Sequence, residues 1–317
     1  MSAPMESPNR LSVLQALRAM AEGSLTSEAL TQACLERIEE RNGQVLAFTA
    51  VDAGWALAQA RAADRGGGGA PLRGIPFAVK DVLDTRHLAT AYGSPIYAGH
   101  RPVADAACVA RVREFGGLVL GKAATSEFAT QTPSRTRNPL NLEHTPGGSS
   151  SGSAAAVADF MAPVAFGTQT TASTVRPASY CGIVGYKPTF GFLNTAGLKP
   201  LSPSQDTITL LARTVQDAAL CAFGLHGMRV QAGPLERPRL AVCLSSQWDA
   251  VRPEMAEAIE RIAAAAQRAG ATVRRMRLPA ALEPLIGMQG RLFAFEARQS
   301  LAYERQNHAA QFSPRLQ

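Results

Sequence analysis

The sequence of 317 residues is short of charge, and this shortage bears on its partners. Only 18% of the residues are Asp, Glu, Lys or Arg, below the roughly 25% of an average domain. The net charge of +7 comes from scattered arginines and not from a block. No Lys/Arg run is interleaved with aromatic residues, as a nucleic-acid-binding stripe would require. We therefore expect no nucleic acid partner.

Cysteines are few and form no recognisable metal or disulfide pattern. There are five, an odd number, and no two of them make a C-x-x-C pair. This arrangement favours neither a disulfide framework nor a zinc site, and it suits a reducing compartment. The five positions are Cys34, Cys108, Cys181, Cys221 and Cys243.

The sequence also shows no export signal and no membrane span. The first ten residues contain Glu6 and two prolines, where a signal peptide needs a basic segment followed by an apolar one. The most apolar stretch, 154–166, is interrupted by Asp159 and Pro163 and is shorter than the roughly 20 residues that cross a bilayer. We expect a cytoplasmic protein that does not contact a membrane, and a homodimer is left open.

The remaining composition is that of a globular chain with a large core, since 46% of the residues are hydrophobic. The length corresponds to about two domains or one large α/β domain. Apolar spacing predicts an N-terminal helical segment over 9–65, with Thr26 as an N-cap. Residues 74–225 alternate between strand and helix patterns, and 239–305 read as a βαβ unit with a helical continuation. We predict an α/β fold with a mixed, largely parallel sheet covered by helices on both faces.

Two short pattern matches have weak support. Residues 116–122 satisfy GxxxxGK, but Ala123 stands where a P-loop needs a hydroxyl for magnesium. Residues 148–152 satisfy GxSxG, yet the nucleophile elbow of α/β-hydrolases must follow a buried strand, and none is predicted there. In that weaker hypothesis His226 or His308 would act as the base.

Three separated segments carry a stronger signal. They are GIPFAVKD around Lys80, GKAATSEFA at 121–129, and the long stretch TPGGSSSGSAAAVADFMAPVAFGTQTTASTVRPASYCGIVGYKPT at 145–189. Together, in this order, they resemble the amidase signature family of Ser-Lys amide hydrolases. The spacing agrees with that family, since Ser149 lies 69 residues after Lys80 and Ser173 lies 24 residues after Ser149.

The resemblance implies a catalytic triad that needs no metal or cofactor. Ser173 would be the nucleophile, Ser149 a bridging serine on a cis peptide after Gly148, and Lys80 the base. Chemistry alone makes such a set workable, because a dry site disfavours the ammonium form and can lower a lysine pKa by several units. A serine hydroxyl both donates and accepts, so that Ser149 can relay a proton.

The resemblance also implies an oxyanion hole and a supporting serine, Ser150, which would hold the loop by hydrogen bonding. The oxyanion donors would be four consecutive backbone N–H groups, those of Thr170, Thr171, Ala172 and Ser173. The family usually has glycine just before the nucleophile, where this chain has Thr171 and Ala172. If either position requires a positive φ, the β carbon is unfavourable there.

Arg176, three residues after Ser173, has two interpretations. In malonamidase-like members an arginine here resembles a clamp for a substrate carboxylate, which suits its bidentate fork. The other interpretation is a structural arginine paired with a carboxylate such as Glu127 or Asp206.

The preferred prediction is hydrolysis of an amide C–N bond in a small molecule through an acyl-enzyme on Ser173. One alternative is a glutamine-hydrolysing subunit of an amidotransferase complex, although GTQTTAS differs from the GSDTGGS loop usual in that branch. Another is a catalytically impaired scaffold. Because family members continue well past this length, residues 1–317 are expected to be a single, C-terminally incomplete domain with an unpaired sheet edge or exposed apolar patch.

Overall fold

The computed structural model describes residues 7–66, 69–228 and 236–317. The glycine run 66–69, whose composition predicts a flexible break between the helical segment and the first strand of 74–225, lies partly outside these residues. The described chain forms two compact units, one running from Ser7 to Met228 and from Glu296 to Gln317, the other from Glu236 to Phe295. The predicted C-terminal segment, 239–305, is therefore divided between the two units.

The helices and strands alternate through most of the described residues. The helices are α1 Val13–Ala21, α2 Ser27–Val45, α3 Ala53–Arg65, α4 Ala107–Glu114, α5 Ser151–Ala158, α6 Val175–Tyr180, α7 Val215–Gly224, α8 Pro253–Arg268, α9 Leu285–Ser300 and α10 Ala302–Asn307. The strands are β1 Phe48–Val51, β2 Pro76–Lys80, β3 Leu118–Ala123, β4 Val164–Gln169, β5 Val184–Tyr186, β6 Thr207–Ala212, β7 Arg239–Leu244 and β8 Thr272–Arg277.

The first unit is built on a six-stranded mixed sheet with the order β1-β3-β2-β4-β6-β5. The three strands β3, β2 and β4 are parallel, while β1 and β6 run antiparallel to their neighbours, so that four of the six strands point the same way. Every residue of β2, β3, β4 and β6 is buried. Strands buried throughout must be covered on both faces, which confirms the predicted α/β class.

The N-terminal segment is mostly helical, with one correction. Thr26 caps α2 as predicted, because its hydroxyl accepts the backbone N–H of Ala29. The segment 9–65 is not helical throughout, however, since β1 forms between α2 and α3 and pairs with β3. Four residues are too few for the apolar period to reveal a strand, and this one is defined by its partner across the sheet.

Helix α5 lies close against the centre of the sheet, where it packs on β2, β3, β4 and β6. Its small residues allow this approach. A β carbon at Gly152 would lie 2.3 Å from two backbone atoms, the nitrogen of Ala124 and the carbonyl oxygen of Ala47. Because α5 lies so close to the sheet, the Ser-Gly run that precedes its N-terminus is also held near the sheet.

The second unit contains the predicted βαβ arrangement. Strands β7 and β8 are parallel and form a two-stranded sheet of their own, and α8 connects them. Many large apolar side chains of this unit are exposed; they are Leu240, Met255, Ile262, Leu282, Leu285, Ile286, Met288, Leu292 and Phe295. No helix of the described residues is both long and apolar enough to span a bilayer.

The cysteines are all unpaired thiols, and they divide sharply by exposure. Cys34, Cys108, Cys181 and Cys221 are buried, while Cys243 on β7 is exposed. Burial raises the pKa of Cys34, Cys108 and Cys181 to about 12 and that of Cys221 further.

Candidate active site

Lys80, the last residue of β2, is fully buried in the middle of the sheet. Its Nζ donates to Ser149 Oγ and to Thr168 Oγ1, both at 2.7 Å. Burial lowers the pKa of Lys80 to about 7, although the negative charge of Asp206 opposes the shift. A lysine in this state can carry or release a proton near neutral pH.

The Ser-Gly run joins Lys80 to the loop after β4. The peptide bond between Gly148 and Ser149 is cis. Ser150 is completely buried, and its hydroxyl donates to the carbonyl of Thr168 and accepts that residue's N–H. The backbone N–H of Ser150 donates to the carbonyl of Ser173 at 3.1 Å. Ser150 thus ties the loop that carries Ser149 to both ends of the loop that carries Ser173.

Ser173 lies half-buried between β4 and α6. Within the described residues its Oγ has no hydrogen-bond partner, so the link from Ser149 to Ser173 is not closed in this structure. The side chain of Gln169 spans the loop: Oε1 accepts the N–H groups of Thr174 and Val175, and Nε2 donates to the carbonyl of Thr171. Gln169 therefore fixes the loop on both sides of Ser173.

The backbone of this loop supplies donors without strain. The N–H groups of Thr170, Ala172 and Ser173 donate to no acceptor in the described part of the chain. Neither Thr171 nor Ala172 has a positive φ. The absence of the family's usual glycines therefore causes no left-handed backbone at these positions, and the objection based on a positive φ does not apply.

Arg176 occupies the first turn of α6, and the structure corrects its predicted pairing. Its guanidinium donates to the carbonyl of Gly148, with Nη2 at 2.7 Å and Nε at 3.1 Å. Neither suggested carboxylate is its partner. Glu127 accepts from Ser94 and from the backbone of Ser313. Arg176 thus fastens the start of α6 to the loop that carries Ser149.

A second buried lysine lies on the neighbouring strand. Lys122 on β3 donates to the carbonyl of Leu83 and to Thr90 Oγ1, and its Nζ lies 3.6 Å from Asp81 Oδ1. Burial lowers the pKa of Lys122 to about 8 and raises that of Asp81 to about 6. Since Lys122 belongs to a buried strand and faces a carboxylate, residues 116–122 are not a phosphate-binding loop.

A cavity of about 710 Å³ opens near these residues. Its lining includes Asp81, Glu127 and Arg135, but none of Lys80, Ser149 and Ser173. We therefore do not assign it to the reacting bond. Among the described residues no cluster of His, Cys, Asp and Glu could hold a metal ion.

Three residues of the site were not identified from the sequence alone. Thr168, like Ser149, accepts a hydrogen bond from Lys80. The negative charge of Asp206 raises the pKa of Lys80, and the side chain of Gln169 donates to the carbonyl of Thr171 in the nucleophile loop. Both Thr168 and Gln169 lie inside the segment that carried the family resemblance. Their polar side chains at the end of an otherwise apolar strand were the available signal.

The sequence is similar to those of known proteins. A glutamyl-tRNA(Gln) amidotransferase subunit from Roseiflexus castenholzii is 46% identical over 220 residues, which are 67% of this chain and 45% of that protein. The chain thus spans less than half the length of that relative.

Two solved structures share the fold. A crystal structure of an amidase has a TM-score of 0.87 and 30% identity, covering 96% of this chain and 72% of its own. The peptide amidase from Stenotrophomonas maltophilia has a TM-score of 0.82 and 33% identity, covering 95% and 68%. The family model described as Amidase matches residues 29–314. With that match over most of its length, the chain belongs to the amidase family.

Proposed function

We propose that this chain hydrolyses an amide C–N bond through an acyl-enzyme on Ser173. The observation that carries the proposal is the contact between Lys80, buried with its pKa near 7, and the hydroxyl of Ser149. A buried lysine without a carboxylate partner is an expensive feature to keep for packing alone. A base poised near the working pH is what acyl transfer from serine needs.

The proton path runs from Ser173 through Ser149 to Lys80. Neutral Lys80 accepts the proton of Ser149 Oγ, Ser149 accepts the proton of Ser173 Oγ, and the alkoxide attacks the amide carbon. Thr168 accepts one N–H of the amine and so directs the lone pair of Nζ toward Ser149. To close the path, Ser173 Oγ must form a hydrogen bond with Ser149 Oγ, a bond that the described residues do not show in this structure.

The loop before α6 then stabilises the tetrahedral intermediate. We place the oxyanion against the N–H groups of Thr170 to Ser173, three of which have no acceptor among the described residues. As the C–N bond breaks, the proton on Lys80 returns through Ser149 to the leaving nitrogen. Water next attacks the ester, with the same groups taking and returning its proton, which releases the acid and frees Ser173. Ser150 keeps both loops in register during these steps.

We infer that the amide is the side chain of glutamine and that the chain works within an amidotransferase, with a protein partner that consumes the ammonia. The relative from Roseiflexus castenholzii supports this choice by its name and by its 46% identity over 220 residues. The inference concerns the whole protein, because this chain spans only 45% of the length of that relative.

Hydrolysis of a small neutral or acidic amide, without a protein partner, is the second candidate. The nucleophile loop favours it, because GTQTTAS lacks the paired glycines of the GSDTGGS version. The solved structures named amidase and peptide amidase also agree with it. The expected cytoplasmic location and the homodimer stay predictions in either case.

A fluorophosphonate probe tests the chemistry whatever the natural substrate is. We expect the wild type to be labelled at Ser173 and Ser173→Ala to stay unlabelled. Lys80→Ala should be labelled about 10²- to 10⁴-fold more slowly, the usual contribution of a general base. Ser179→Ala, a change at an exposed serine of the following helix, is the matched control and should be labelled like the wild type. An unlabelled, folded wild type would contradict the proposal.

A hydrolysis screen then separates the two substrates. Glutamine should be hydrolysed in preference to aryl amides, malonamate-like acids and simple neutral amides, and faster when a copurified partner is present. If a small amide is hydrolysed by the isolated chain while glutamine is not, the second candidate replaces the first.

A further inference from the structure

Asp206 sits beside the nucleophile loop, at the point where β4 and β6 end their pairing. The antiparallel register of these strands places Gln169 opposite Thr207. One step further, Thr170 Oγ1 donates to Asp206 Oδ1 at 2.6 Å. The loop that carries Ser173 therefore leaves the sheet at a residue tied to Asp206.

The carboxylate of Asp206 is buried and well supplied with donors. Its Oδ2 accepts the backbone N–H groups of Leu201 and Ser202, at 2.8 and 2.9 Å. With the bond from Thr170, both oxygens are engaged. These three donors satisfy the hydrogen-bonding capacity of a side chain that would otherwise be costly to bury.

We propose that Asp206 is a positioning residue for the hydrolysis proposed above: it orients Thr170 at the entrance of the oxyanion loop, and its negative charge stabilises the protonated form of Lys80. The inference rests on the proposed function, since it assigns Asp206 a role in that site.

The charges around Lys80 support the electrostatic part. The groups in contact with Nζ, Ser149 and Thr168, are neutral hydroxyls. Thr168, which accepts from Lys80 Nζ, lies two residues before Thr170, which donates to Asp206, so the carboxylate is held close to the surroundings of Lys80. Its negative charge raises the pKa of Lys80, which burial lowers. On the adjacent strand Lys122 is paired with Asp81. Removing the charge of Asp206 should therefore lower the pKa of Lys80 further.

Two substitutions separate the charge from the hydrogen bond. Asp206→Asn removes the charge but can keep the bonds, because the amide oxygen can accept from Leu201 and Ser202 while the amide nitrogen donates to Thr170. Thr170→Val removes the bond and keeps the charge. If Asp206 served only in packing, the two variants would show the same dependence of rate on pH.

The measurement is the rate constant of fluorophosphonate labelling as a function of pH, on the full chain, with folding checked by circular dichroism. Labelling requires neutral Lys80, so the wild-type rate should rise with pH through the pKa of this residue. We call this rising part of the pH profile the limb. In Asp206→Asn the limb should move to lower pH by about one unit. In Thr170→Val the limb should stay in place while the plateau falls about 10- to 100-fold, because a displaced loop presents its donors poorly.

Asp206→Glu provides the check if the asparagine variant does not fold. It keeps the charge and shifts the geometry, so that its rate should fall with an unmoved limb. The inference is overturned if the limb of Asp206→Asn coincides with that of the wild type, or if Asp206→Glu moves the limb to lower pH. An unlabelled wild type, by contrast, would count against the proposed function itself.

Discussion

The side-chain amide nitrogen of Gln169 donates to the backbone carbonyl of Thr171 at 3.0 Å, while its oxygen accepts two N–H groups beyond Ser173. An aspartate, frequent at this position in the family, has no proton to donate. The loop of this chain lacks the usual glycines. Instead, the side-chain amide of Gln169 holds the carbonyl of Thr171 by a hydrogen bond.

The first prediction concerns that donor. Gln169→Glu keeps an acceptor for the N–H groups of Thr174 and Val175 but turns a second oxygen toward the carbonyl of Thr171. We expect kcat to fall at least about 10-fold with little change in KM, because oxyanion donors are displaced. Steady-state kinetics checks it. Gln169→Met adds no repelling oxygen, but it removes the acceptor of the Thr174 and Val175 N–H groups together with the donor. If kcat falls less in the methionine variant than in the glutamate variant, repulsion of the Thr171 carbonyl dominates; an equal or larger loss would show that the lost hydrogen bonds explain the effect.

The second prediction is the pH dependence of the wild type. Because Lys80 must be neutral to act as a base and its pKa is about 7, kcat/KM should rise about tenfold per pH unit below pH 7 and level off above it. A substrate without titrating groups is required. The residual activity of Lys80→Ala should show no such limb. A limb near pH 10, the range of an ordinary lysine, would mean that another group is the base.

The third prediction concerns Arg176, whose guanidinium binds the carbonyl of Gly148. If holding this loop is its role, Arg176→Ala should lower kcat/KM about tenfold for neutral and carboxylate-bearing amides alike. Parallel kinetics on a simple amide and a malonamate-like acid check this. A rise in KM confined to the acid would instead support the carboxylate clamp.

The fourth prediction is about stability and the buried pair of Lys122 and Asp81. Lys122→Met leaves the carboxylate without its cation and should destabilise the protein by about 3–5 kcal/mol near pH 8. The pKa of Asp81 is already raised above its unfolded value, and the loss of Lys122 raises it further. The folded state of the variant therefore loses stability, relative to wild type, as pH rises through that pKa, and the deficit should be smaller at pH 5.

Urea unfolding at both pH values measures this effect. The double variant Lys122→Met/Asp81→Asn serves as the control, because neither charge remains to be buried alone. It should recover much of the lost stability. A double variant as unstable as the single one at pH 8 would show that the lost packing of Lys122, and not the bare carboxylate, is responsible.

The fifth prediction tests the close approach of α5. Gly152→Ala places a β carbon 2.3 Å from backbone atoms of Ala124 and Ala47, and should lower the free energy of unfolding by about 3 kcal/mol. Gly54→Ala is the matched control, because its β carbon would meet only Asp52 Oδ1 at 3.7 Å. In the first turn of α3, that change should be neutral or slightly stabilising. Thermal unfolding of both variants decides the matter.

Lys80 illustrates how much of the site could be predicted from the sequence. Its alternating neighbours predicted strand β2, and the resemblance singled out the lysine, the two serines and the loop. The contact with Thr168 could not be predicted in the same way, because it joins residues 88 positions apart through the pairing of β2 with β4. Side-chain partners of this kind depend on the register of the sheet.

Other features of the structure could not be predicted from the sequence, for related reasons. Strand β1 has four residues and no apolar period long enough to distinguish it from the helices on either side. The carbonyl of Gly148 as partner of Arg176 could not be foreseen, because backbone groups look alike in every sequence. The division of the chain near residue 296 follows from packing and leaves no compositional mark.

The separation of the cysteines by exposure gives this protein a built-in attachment point. Four thiols are buried, with the pKa of each raised, and are therefore poor nucleophiles toward alkylating reagents. Cys243, exposed on β7 of the second unit, is the accessible one. A maleimide dye or spin label added to the unmodified protein should attach there, leaving Ser173 and its loop untouched, and report on the second unit alone.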